Sequence, residues 1–419
     1  MNTQTQQRIL HVDFNSFFAS AEQEANPFLR SKSVGVGGKV DSKGIVAAAS
    51  YTAKARGIKT AMSVYEAKSI DPALLMVNGD SHKYGELSDR LHAILKRQGG
   101  IVERFSVDED FLDVTHVAND WLDTLAVALR IRDAIEKEIG TFIKVSIGIG
   151  PNRLLAKMAS DAEKPNGLTL VYPSQNERFD FLDTRALDDI PGIGPAILRH
   201  LKELGIESIS DLRATKLPFL IQHFKQYGHF LYIASRGLDA SVVSNEEPLE
   251  KSIGHSYTLP YHTHDRRIAA RALLSLADRV GWRLRKRGLV ARAHTAIVRF
   301  SDLRVVSKQG RLAAPTSDGF ELYKAAWQQI VSIIDSEEAD VPLDTCSIRL
   351  IGIVARDLVP LHNQISIDRQ KQKRTDLLPW LDHIQRRYGA RSWLRASLVS
   401  TVVKERVNGF KLDHNPPLT

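Results

Sequence analysis

The alternation of apolar and polar residues predicts short strands and helices at the start of the chain. RILHVDFNSFFASAEQ begins with alternating apolar positions and then changes to helical spacing, with Asp13 at the junction. SVGVGG and GIVAAAS read as short strands, and YTAKARGIKTAM as the start of a helix followed by a glycine-marked turn. Strands and helices mix without strict β-α-β alternation, a pattern typical of an α+β fold.

The middle of the chain continues this pattern and then becomes helical. The spacing predicts a helix over 83–96, an acidic strand in FSVDEDFLDVT, a helix over 121–138, a strand in KVSIGIGPN and a helix in RLLAKMASDAEK. DIPGIGPAILRHLKELGI then predicts two helices around a glycine-rich turn. Backbone N–H groups at such a helix start suit a phosphate, and we interpret Gly192 and Gly194 as part of a helix-hairpin-helix that binds nucleic acid. An ordinary helical hairpin is the alternative.

A polar stretch over 239–251 predicts a linker, and a second α+β region follows it. SIGHSYTLPY reads as a strand, RRIAARALLSLADRVGWRLRKRGLVAR as a long helix and AHTAIVRFSDLRVVSKQG as paired strands. ELYKAAWQQIVSIIDS predicts another helix and CSIRLIGIVARDL a last strand. Beyond Val359, TDLLPWLDHIQRRYGARSWL predicts one more helix before a loose tail.

Length and composition limit the class of protein. A chain of 419 residues suggests two to four domains, and its single cysteine excludes intrachain disulfides and a cysteine-based zinc site. The amino terminus lacks the features of a secretory signal, and no apolar run is long enough for a bilayer. We therefore expect a cytoplasmic protein without a membrane partner.

The charge is unevenly distributed. The net charge of +8 divides into +11 from residue 253 onward and −3 before it. This asymmetry favours a nucleic-acid surface on the carboxyl-terminal region and an acidic site on the remainder. A basic surface that serves only solubility is the alternative.

The acidic strand supplies candidate metal ligands. Neighbouring strand residues point to opposite faces, so Asp108 and Glu109 share one site only at a bend near a strand end. If Asp13 approaches from the end of the first strand, three carboxylates converge. Oxygen ligands without cysteine or a convincing histidine favour Mg²⁺ or Mn²⁺, and two such ions favour phosphoryl or nucleotidyl transfer.

Two further acids, Asp110 and Asp113, lie in the same segment. We interpret them as solvated turn residues or as partners of Arg104 and Lys144, because nothing else supports them as ligands. If Asp13, Asp108 or Glu109 occurred alone, we would give it the same structural interpretation.

Cations and an aromatic hydroxyl that suit a triphosphate occur in two short segments. They are Tyr51, Lys54, Arg56, Lys157 and Lys164. Solvated surface side chains are the alternative for any one of them.

Several segments together resemble a known family. HVDFNSFFASAE, ASYTAKARGIKTAM, FSVDEDFLDVT, SIGIGPNRLLAKMASDAEKPNG and IPGIGPAILRHLKELGI are similar, in this order, to the Y family of translesion DNA polymerases, and most of all to its bacterial DNA polymerase IV branch. The resemblance runs from about Leu10 to Leu358.

The resemblance implies a right-hand polymerase architecture within the α+β class. The palm would comprise 1–20 and 80–170, and the small fingers 21–79. A helical thumb with the helix-hairpin-helix would span 171–240, a linker 241–252, an α+β little finger 253–358, and a carboxyl-terminal helix with tail 359–419.

The resemblance also assigns roles. Asp13, Asp108 and Glu109, with the carbonyl of Phe14, would bind two Mg²⁺ ions, for which Mn²⁺ could substitute. Tyr51, Lys54 and Lys164 would contact the incoming dNTP, and Phe18 would be the steric gate that excludes ribonucleotides, whereas Phe17 suits core packing. Four positions depart from the family pattern: Asn15, Ala48, Lys54 and Asp110.

Primer-template DNA is the other implied partner. We expect Arg283, Arg285, Lys286 and Arg287 to follow DNA phosphates. Residues Gln364, Ile365 and Ile367 resemble a degenerate sliding-clamp peptide, with a plain basic linker as the alternative. The expected protein is a monomer that performs low-fidelity translesion synthesis. The rivals are a catalytically silent DNA-binding scaffold and a metal-dependent nuclease.

Overall fold

The computed structural model describes residues 6–37, 44–246, 249–340, 347–361, 369–389 and 392–398, which form two compact units. The first unit ends near 247 and the second begins near 248. None of the described helices combines the length and apolar character that a membrane span needs.

The first unit contains a five-stranded sheet, a three-stranded sheet and a group of helices. Its elements are β1 (Ile9–Phe14), α1 (Phe17–Ala25), β2 (Val34–Gly37), β3 (Val46–Ala49), α2 (Tyr51–Ala55), α3 (Val64–Ile70), β4 (Leu75–Asn78), α4 (Ser81–Lys96), β5 (Ile101–Arg104), β6 (Glu109–Asp113), α5 (Trp121–Glu138), β7 (Val145–Gly150), α6 (Arg153–Ala162), β8 (Leu168–Leu170), α7 (Gln175–Asp183), α8 (Pro195–Glu203), α9 (Ile209–Ala214), α10 (Leu217–Phe224) and α11 (Tyr227–Ala234). The sheet orders are β5-β6-β1-β7-β8 and β3-β2-β4.

The central strand β1 has two faces with different surroundings. Leu10, Val12 and Phe14 alternate along one face and pack in a core with residues of α4 and α5. The opposite face carries His11 and Asp13 and lies against α6, which contacts both β1 and β7. All six residues of β1 are buried, so two polar side chains are held inside the protein at this position.

A glycine permits the close approach of α6. A Cβ atom on Gly148 of β7 would lie 2.0 Å from the carbonyl oxygen of Ala156 and 2.2 Å from the amide nitrogen of Ser160. Any larger residue at 148 would push α6 away from the sheet. The helix is capped by Asn152, whose side chain accepts a hydrogen bond of 2.9 Å from the amide of Leu155.

The second unit is an antiparallel sheet with helices on one face. Its elements are β9 (Ser252–Thr263), α12 (Arg266–Lys286), β10 (Leu289–Phe300), β11 (Val305–Thr316), α13 (Gly319–Asp340), β12 (Ile348–Pro360) and α14 (Arg369–Tyr388), with sheet order β11-β10-β12-β9. Alternate strand residues such as Val298, Ile351 and Ile353 share a buried core with α12 and α13.

Two helix boundaries that we predicted from the sequence are wrong. The long helix ends at Lys286 because Gly288 adopts a left-handed φ of 64°, and β10 begins at Leu289, where we predicted that the helix continues. The last helix begins earlier, at Arg369, and ends at Tyr388 before Gly389, whose φ is 97°. The predicted domain limits stay predictions.

The carboxyl-terminal helix is attached to the second unit by a buried ion pair. The Arg285 guanidinium contacts both oxygens of Asp382, with Nε–Oδ2 and Nη2–Oδ1 distances of 2.6 and 2.8 Å, and donates to the carbonyl of Ser317 at 2.6 Å. Only 11% and 9% of the two side chains are exposed. Arg395 makes a similar two-bond contact with Asp278.

We expect Asp382→Ala to lower the free energy of unfolding of the second unit by about 3–5 kcal/mol, because it leaves the Arg285 charge buried without its partner. Chemical denaturation followed by tryptophan fluorescence measures the change. The control is Asp376→Ala, which removes an exposed carboxylate of the same helix that accepts a bond from Gln372. A loss below about 1 kcal/mol for Asp382→Ala would contradict the prediction.

Candidate active site

Two adjacent strands bring the predicted carboxylates together. Asp13 and Glu109 are directly opposite residues in the antiparallel pairing of β1 with β6. Asp108 precedes β6 in a tight turn, where the amides of Phe105 and Ser106 both donate to the carbonyl of Glu109. This turn is the predicted bend near a strand end, and the amide of Phe14 donates to the Asp108 carbonyl at 2.9 Å.

The closest group of potential ligands includes a histidine that we did not predict. Among the described residues, His11, Asp13 and Glu109 present ligand atoms within 4.8 Å of one another. The carboxylate of Asp108 lies outside this group and contacts the Ser106 hydroxyl at 2.5 Å, although its charge still acts on Asp13. His11 could have been found from its position two residues before Asp13, which places both on one face of the strand.

Two lysines neutralise the carboxylates. Lys164 Nζ lies 3.0 Å from Asp13 Oδ2 and 2.6 Å from Asp161 Oδ1. Lys157, on α6, contacts Glu109 Oε2. Both lysines were predicted as phosphate-binding candidates, and the structure places both at the acidic group.

Burial and neighbouring charges shift the pKa values of Asp13 and Glu109 in opposite directions. Burial raises the pKa of Asp13 to about 7, despite the opposing charge of Lys164. Burial also disfavours the charged form of Glu109, but His11 and Lys157 outweigh it and lower the pKa of Glu109 to about 2. Burial lowers the pKa of His11, which is fully enclosed, so its ring is neutral at neutral pH. Of these two carboxylates, Glu109 is therefore ionised at neutral pH, whereas Asp13 titrates near pH 7.

The helix α2 adds two of the predicted nucleotide contacts. Ser50 caps this helix, and Lys54 Nζ lies 4.9 Å from the centre of the Tyr51 ring. Burial and the nearby charge of Lys164 lower the pKa of Lys54, and burial raises the pKa of Tyr51. Both residues also sense the charge of Asp13, so α2 faces the acidic group. Arg56 instead pairs with Asp71.

The two phenylalanines of α1 have different environments. Phe17 is buried and stacks on Phe14 with ring centres 4.7 Å apart, in agreement with a core role. Phe18 is only partly buried and stacks on Tyr84 at 4.3 Å. The Tyr84 hydroxyl donates to Glu22 at 2.7 Å, which fixes the ring behind Phe18.

The remaining acids of the strand have structural partners. Asp110 is buried and contacts His92 Nδ1 at 2.9 Å, so our interpretation of it as a solvated turn residue is wrong. The charge of Arg104 still acts on it, but its direct partner is His92. Asp113 accepts a hydrogen bond of 2.8 Å from the amide of Thr115. The expected cations pair elsewhere, Arg104 with Asp89 and Lys144 with Glu136.

Asn15 has a role that explains an amide at this position. Its Oδ1 accepts from the amide of Asn166 at 2.6 Å, and its Nδ2 donates to the Ser146 hydroxyl at 2.9 Å. The amide lets Asn15 accept from Asn166 and donate to Ser146 at once, whereas a carboxylate here would only accept and would need the Ser146 hydroxyl as the donor. Asn15 therefore holds the turn next to Lys164 against β7.

Family models match most of the chain. The model described as the impB/mucB/samB family matches residues 12–161, and the one for the C-terminal domain of that family matches 250–370. The model described as the DNA polymerase-iota thumb domain matches 188–239.

The chain is similar to proteins named DNA polymerase IV. That of Dehalococcoides mccartyi strain CBDB1 is 34% identical over 383 residues, which are 91% of this chain and 95% of that protein. That of Listeria monocytogenes strain EGD-e is 31% identical over 358 residues, 85% of this chain and 97% of that protein. The chain belongs to the Y family of translesion DNA polymerases, in the DNA polymerase IV branch.

Solved structures agree with this family. A Y-family DNA polymerase chimera of Dbh and Dpo4 has a TM-score of 0.75 at 28% identity, covering 84% of this chain and 99% of that one. An insertion ternary complex of Dbh DNA polymerase has a TM-score of 0.55 at 27% identity, covering 85% and 100%. The chain is thus an enzyme, a DNA-directed DNA polymerase.

The predicted helix-hairpin-helix of this Y-family chain has two glycines with different constraints. Gly192 has a φ of 104°, and its carbonyl accepts from the Tyr227 hydroxyl at 2.7 Å. Gly194 caps α8, and a Cβ atom there would meet no atom within 4 Å. Gly192 is therefore needed for the turn, whereas Gly194 leaves open space above the start of the helix.

The predicted basic cluster at the end of α12 is largely committed to internal contacts. Arg285 is buried against Asp382, Arg287 pairs with Glu250 at 2.9 Å, and Arg283 donates to the carbonyl of Gly254. Lys286 is exposed. Arg285 uses three of its guanidinium N–H groups on a carboxylate and a carbonyl, and its contact with DNA phosphates stays a prediction.

The sheet face opposite the helices carries arginines that we did not predict. Arg311 and Arg356 are exposed and flank Ala293 in one row across β11, β10 and β12. Arg299 lies on the same face further along β10 and is partly buried. Residues Gln364, Ile365 and Ile367 lie outside the described residues.

The raised pKa of Asp13 predicts a pH dependence of cation binding. A divalent cation binds the ionised carboxylate, so protons compete with it below about pH 7. We expect the affinity for Mn²⁺ to fall up to about tenfold per pH unit between pH 7 and 5, and to level off above pH 7.5. Isothermal titration calorimetry measures this affinity. A flat profile, as an acid with an ordinary pKa would give, would contradict the shift.

Proposed function

We propose that this polymerase performs error-tolerant translesion synthesis by joining the α-phosphate of a dNTP to the 3′-hydroxyl of a primer. The observation that carries the assignment of the site is the pairing of Asp13 with Glu109, with Asp108 in the adjoining turn and two lysines alongside. Relatives in the same family include DNA polymerase ternary complexes.

We propose that Asp13, Asp108, Glu109 and the carbonyl of Phe14 hold two Mg²⁺ ions. The donor set fits hard cations, since carboxylate oxygens dominate it, and Mn²⁺ would substitute. The buried charge of Asp13 also fits, because a cation would offset the cost that raises its pKa. When bound, such cations make the primer hydroxyl a better nucleophile and neutralise the charge of the departing pyrophosphate.

The cationic side chains next to the acids would bind the triphosphate. Lys164 lies at Asp13, and the charge of Lys164 acts on Lys54. Two ammonium groups placed this closely repel each other and are relieved by an anion between them. Tyr51 would donate its hydroxyl to the same phosphates. Lys54 gives a point charge where the family usually has the planar fork of arginine, which favours looser phosphate binding.

Phe18 would select the sugar. It is partly exposed at the start of α1 and backed by Tyr84, so its ring cannot retreat from a 2′-hydroxyl. Its neighbour Phe17 faces the core and lacks this access.

DNA would contact three surfaces. The start of α8 offers backbone N–H groups to a phosphate, and Gly194 leaves room for the approach. On α12, the exposed Lys286 of the predicted basic cluster would contact a DNA phosphate. The open sheet face with Arg299, Arg311 and Arg356 supplies charge that none of the described helices covers. We further propose a cytoplasmic monomer, with clamp binding through Gln364, Ile365 and Ile367.

We expect Asp13→Ala and Glu109→Ala to lower primer extension with Mg²⁺ by at least about 10²–10³-fold, because each removes a ligand next to the reacting phosphate. The control Asp113→Asn should extend primers at the wild-type rate, since the Asp113 side chain only accepts a hydrogen bond within a turn. Full extension by Asp13→Ala would contradict the assignment, and primer shortening without dNTPs would favour the nuclease.

The same assay with rNTPs in place of dNTPs tests Phe18. We expect Phe18→Ala to incorporate ribonucleotides faster than the wild type does.

We expect Arg311→Gln and Arg356→Gln each to weaken DNA binding and to reduce the slope of log affinity against log salt by about 1, the effect of one lost phosphate contact. Fluorescence anisotropy with a labelled primer-template measures the slope. The control Arg267→Gln removes an equal charge from α12, where 83% of the Arg267 side chain is exposed and it pairs with Asp265. If the slope of log affinity against log salt is the same for all variants and the wild type, DNA does not bind this face of the sheet.

A further inference from the structure

His11 is a fully buried histidine next to the acidic group. It is 0% exposed and lies two residues before Asp13, on the same face of β1. Its ring packs on Phe111 with ring centres 4.6 Å apart. Buried polar groups usually have a structural or chemical task, because their desolvation is costly.

The ring joins α6 to Glu109. Nδ1 lies 2.7 Å from the hydroxyl of Ser160, and Nε2 lies 3.1 Å from Oε2 of Glu109. Lys157, one turn before Ser160, contacts the same Oε2. The described contacts of this carboxylate therefore all reach one oxygen, which leaves Oε1 for another partner.

We infer that His11 is a positioning residue that holds Glu109 so that Oε1 is presented to a cation as a single ligand atom. The inference rests on the proposed metal-binding role of Glu109. Nε2 and Oε2 are in close contact, although the geometry in this structure falls short of a hydrogen bond; a proton on Nε2 would let the ring donate to the carboxylate, which only accepts. The Ser160 hydroxyl has one proton and two acceptors within reach, Nδ1 of His11 at 2.7 Å and the carbonyl of Lys157 at 2.8 Å. The contact with Ser160 fixes the orientation of the ring, as partners of ligating groups do in metal sites.

A direct ligand role for His11 is the competing possibility. Its nitrogen lies close enough to Asp13 and Glu109 to complete a three-ligand group. Two features favour positioning. Hard cations such as Mg²⁺ prefer oxygen to imidazole nitrogen, and the ring is fully enclosed while the carboxylate of Glu109 is 14% exposed.

The test compares Mn²⁺ binding by His11→Leu, His11→Gln and Ser160→Ala with that of the wild type. Each full-length protein is bound to primer-template with a dideoxy-terminated primer and dNTP, and free Mn²⁺ is measured by electron paramagnetic resonance. We expect His11→Leu to lose about 10–100-fold in Mn²⁺ affinity. Ser160→Ala should lose less, and His11→Gln, whose amide nitrogen can reach Oε2, should recover most of the loss.

The matched control is His92→Gln. His92 contacts Asp110, the residue next to Glu109 in the strand, at 2.9 Å but lies outside the proposed ligand set. We expect its Mn²⁺ affinity to equal that of the wild type. Primer extension at varied Mg²⁺ supplies a second measurement. His11→Leu should need more Mg²⁺ for half-maximal rate, with a smaller change in the rate at saturating Mg²⁺.

Two results would overturn the inference. One is wild-type Mn²⁺ affinity in both His11→Leu and Ser160→Ala. The other is electron spin-echo modulation from a directly bound imidazole nitrogen that disappears in His11→Leu. If His11→Leu fails to fold, Ser160→Ala and His11→Gln still decide between these outcomes. A wild-type protein that binds no Mn²⁺ would instead refute the proposed function.

Discussion

The hydrogen-bond ladder between β1 and β6 is the constraint on which the site depends. It sets Asp13 opposite Glu109, although the two are far apart in sequence. A shift of one residue in this register would turn His11 and Asp13 into the core that Leu10, Val12 and Phe14 occupy. The apolar face of β1 therefore fixes the position of its polar face, and packing against α4 and α5 fixes the chemistry on the other side.

The cost of this arrangement is the burial of negative charge, and the surrounding elements offset it. The carboxylate of Asp13 has an ammonium group of Lys164 beside it, and that of Glu109 has Lys157 and His11. His11 belongs to β1, whereas the two lysines come from α6 and the turn after it, which can lie close to the sheet because residue 148 has no side chain. Gly148 in β7 is thus required for the charged groups on α6 to reach the carboxylates.

The sequence predicted the α+β class, the strand-to-helix junction at Asp13 and the bend before Glu109, since alternation and turn residues are local signals. It did not predict His11, whose importance comes from α6 lying across the strand, or the pairing of Asp110 with His92. The basic residues at the end of α12 illustrate the same limit. Charge is visible in a sequence, but the use of Arg285 depends on Asp382, which lies 97 residues away. Likewise, the arginines of the open sheet face share a surface only through strand register.

The stack of Phe18 on Tyr84 means that the sugar selection proposed for Phe18 would depend on two helices, α1 and α4. Tyr84 belongs to α4, while Glu22, which holds its hydroxyl, lies on α1 only four residues beyond Phe18. The Phe18 ring, which we propose meets the sugar, is therefore only as rigid as the junction between these two helices. Evolution could relax the choice between ribose and deoxyribose by loosening that junction, without altering any residue that touches the nucleotide.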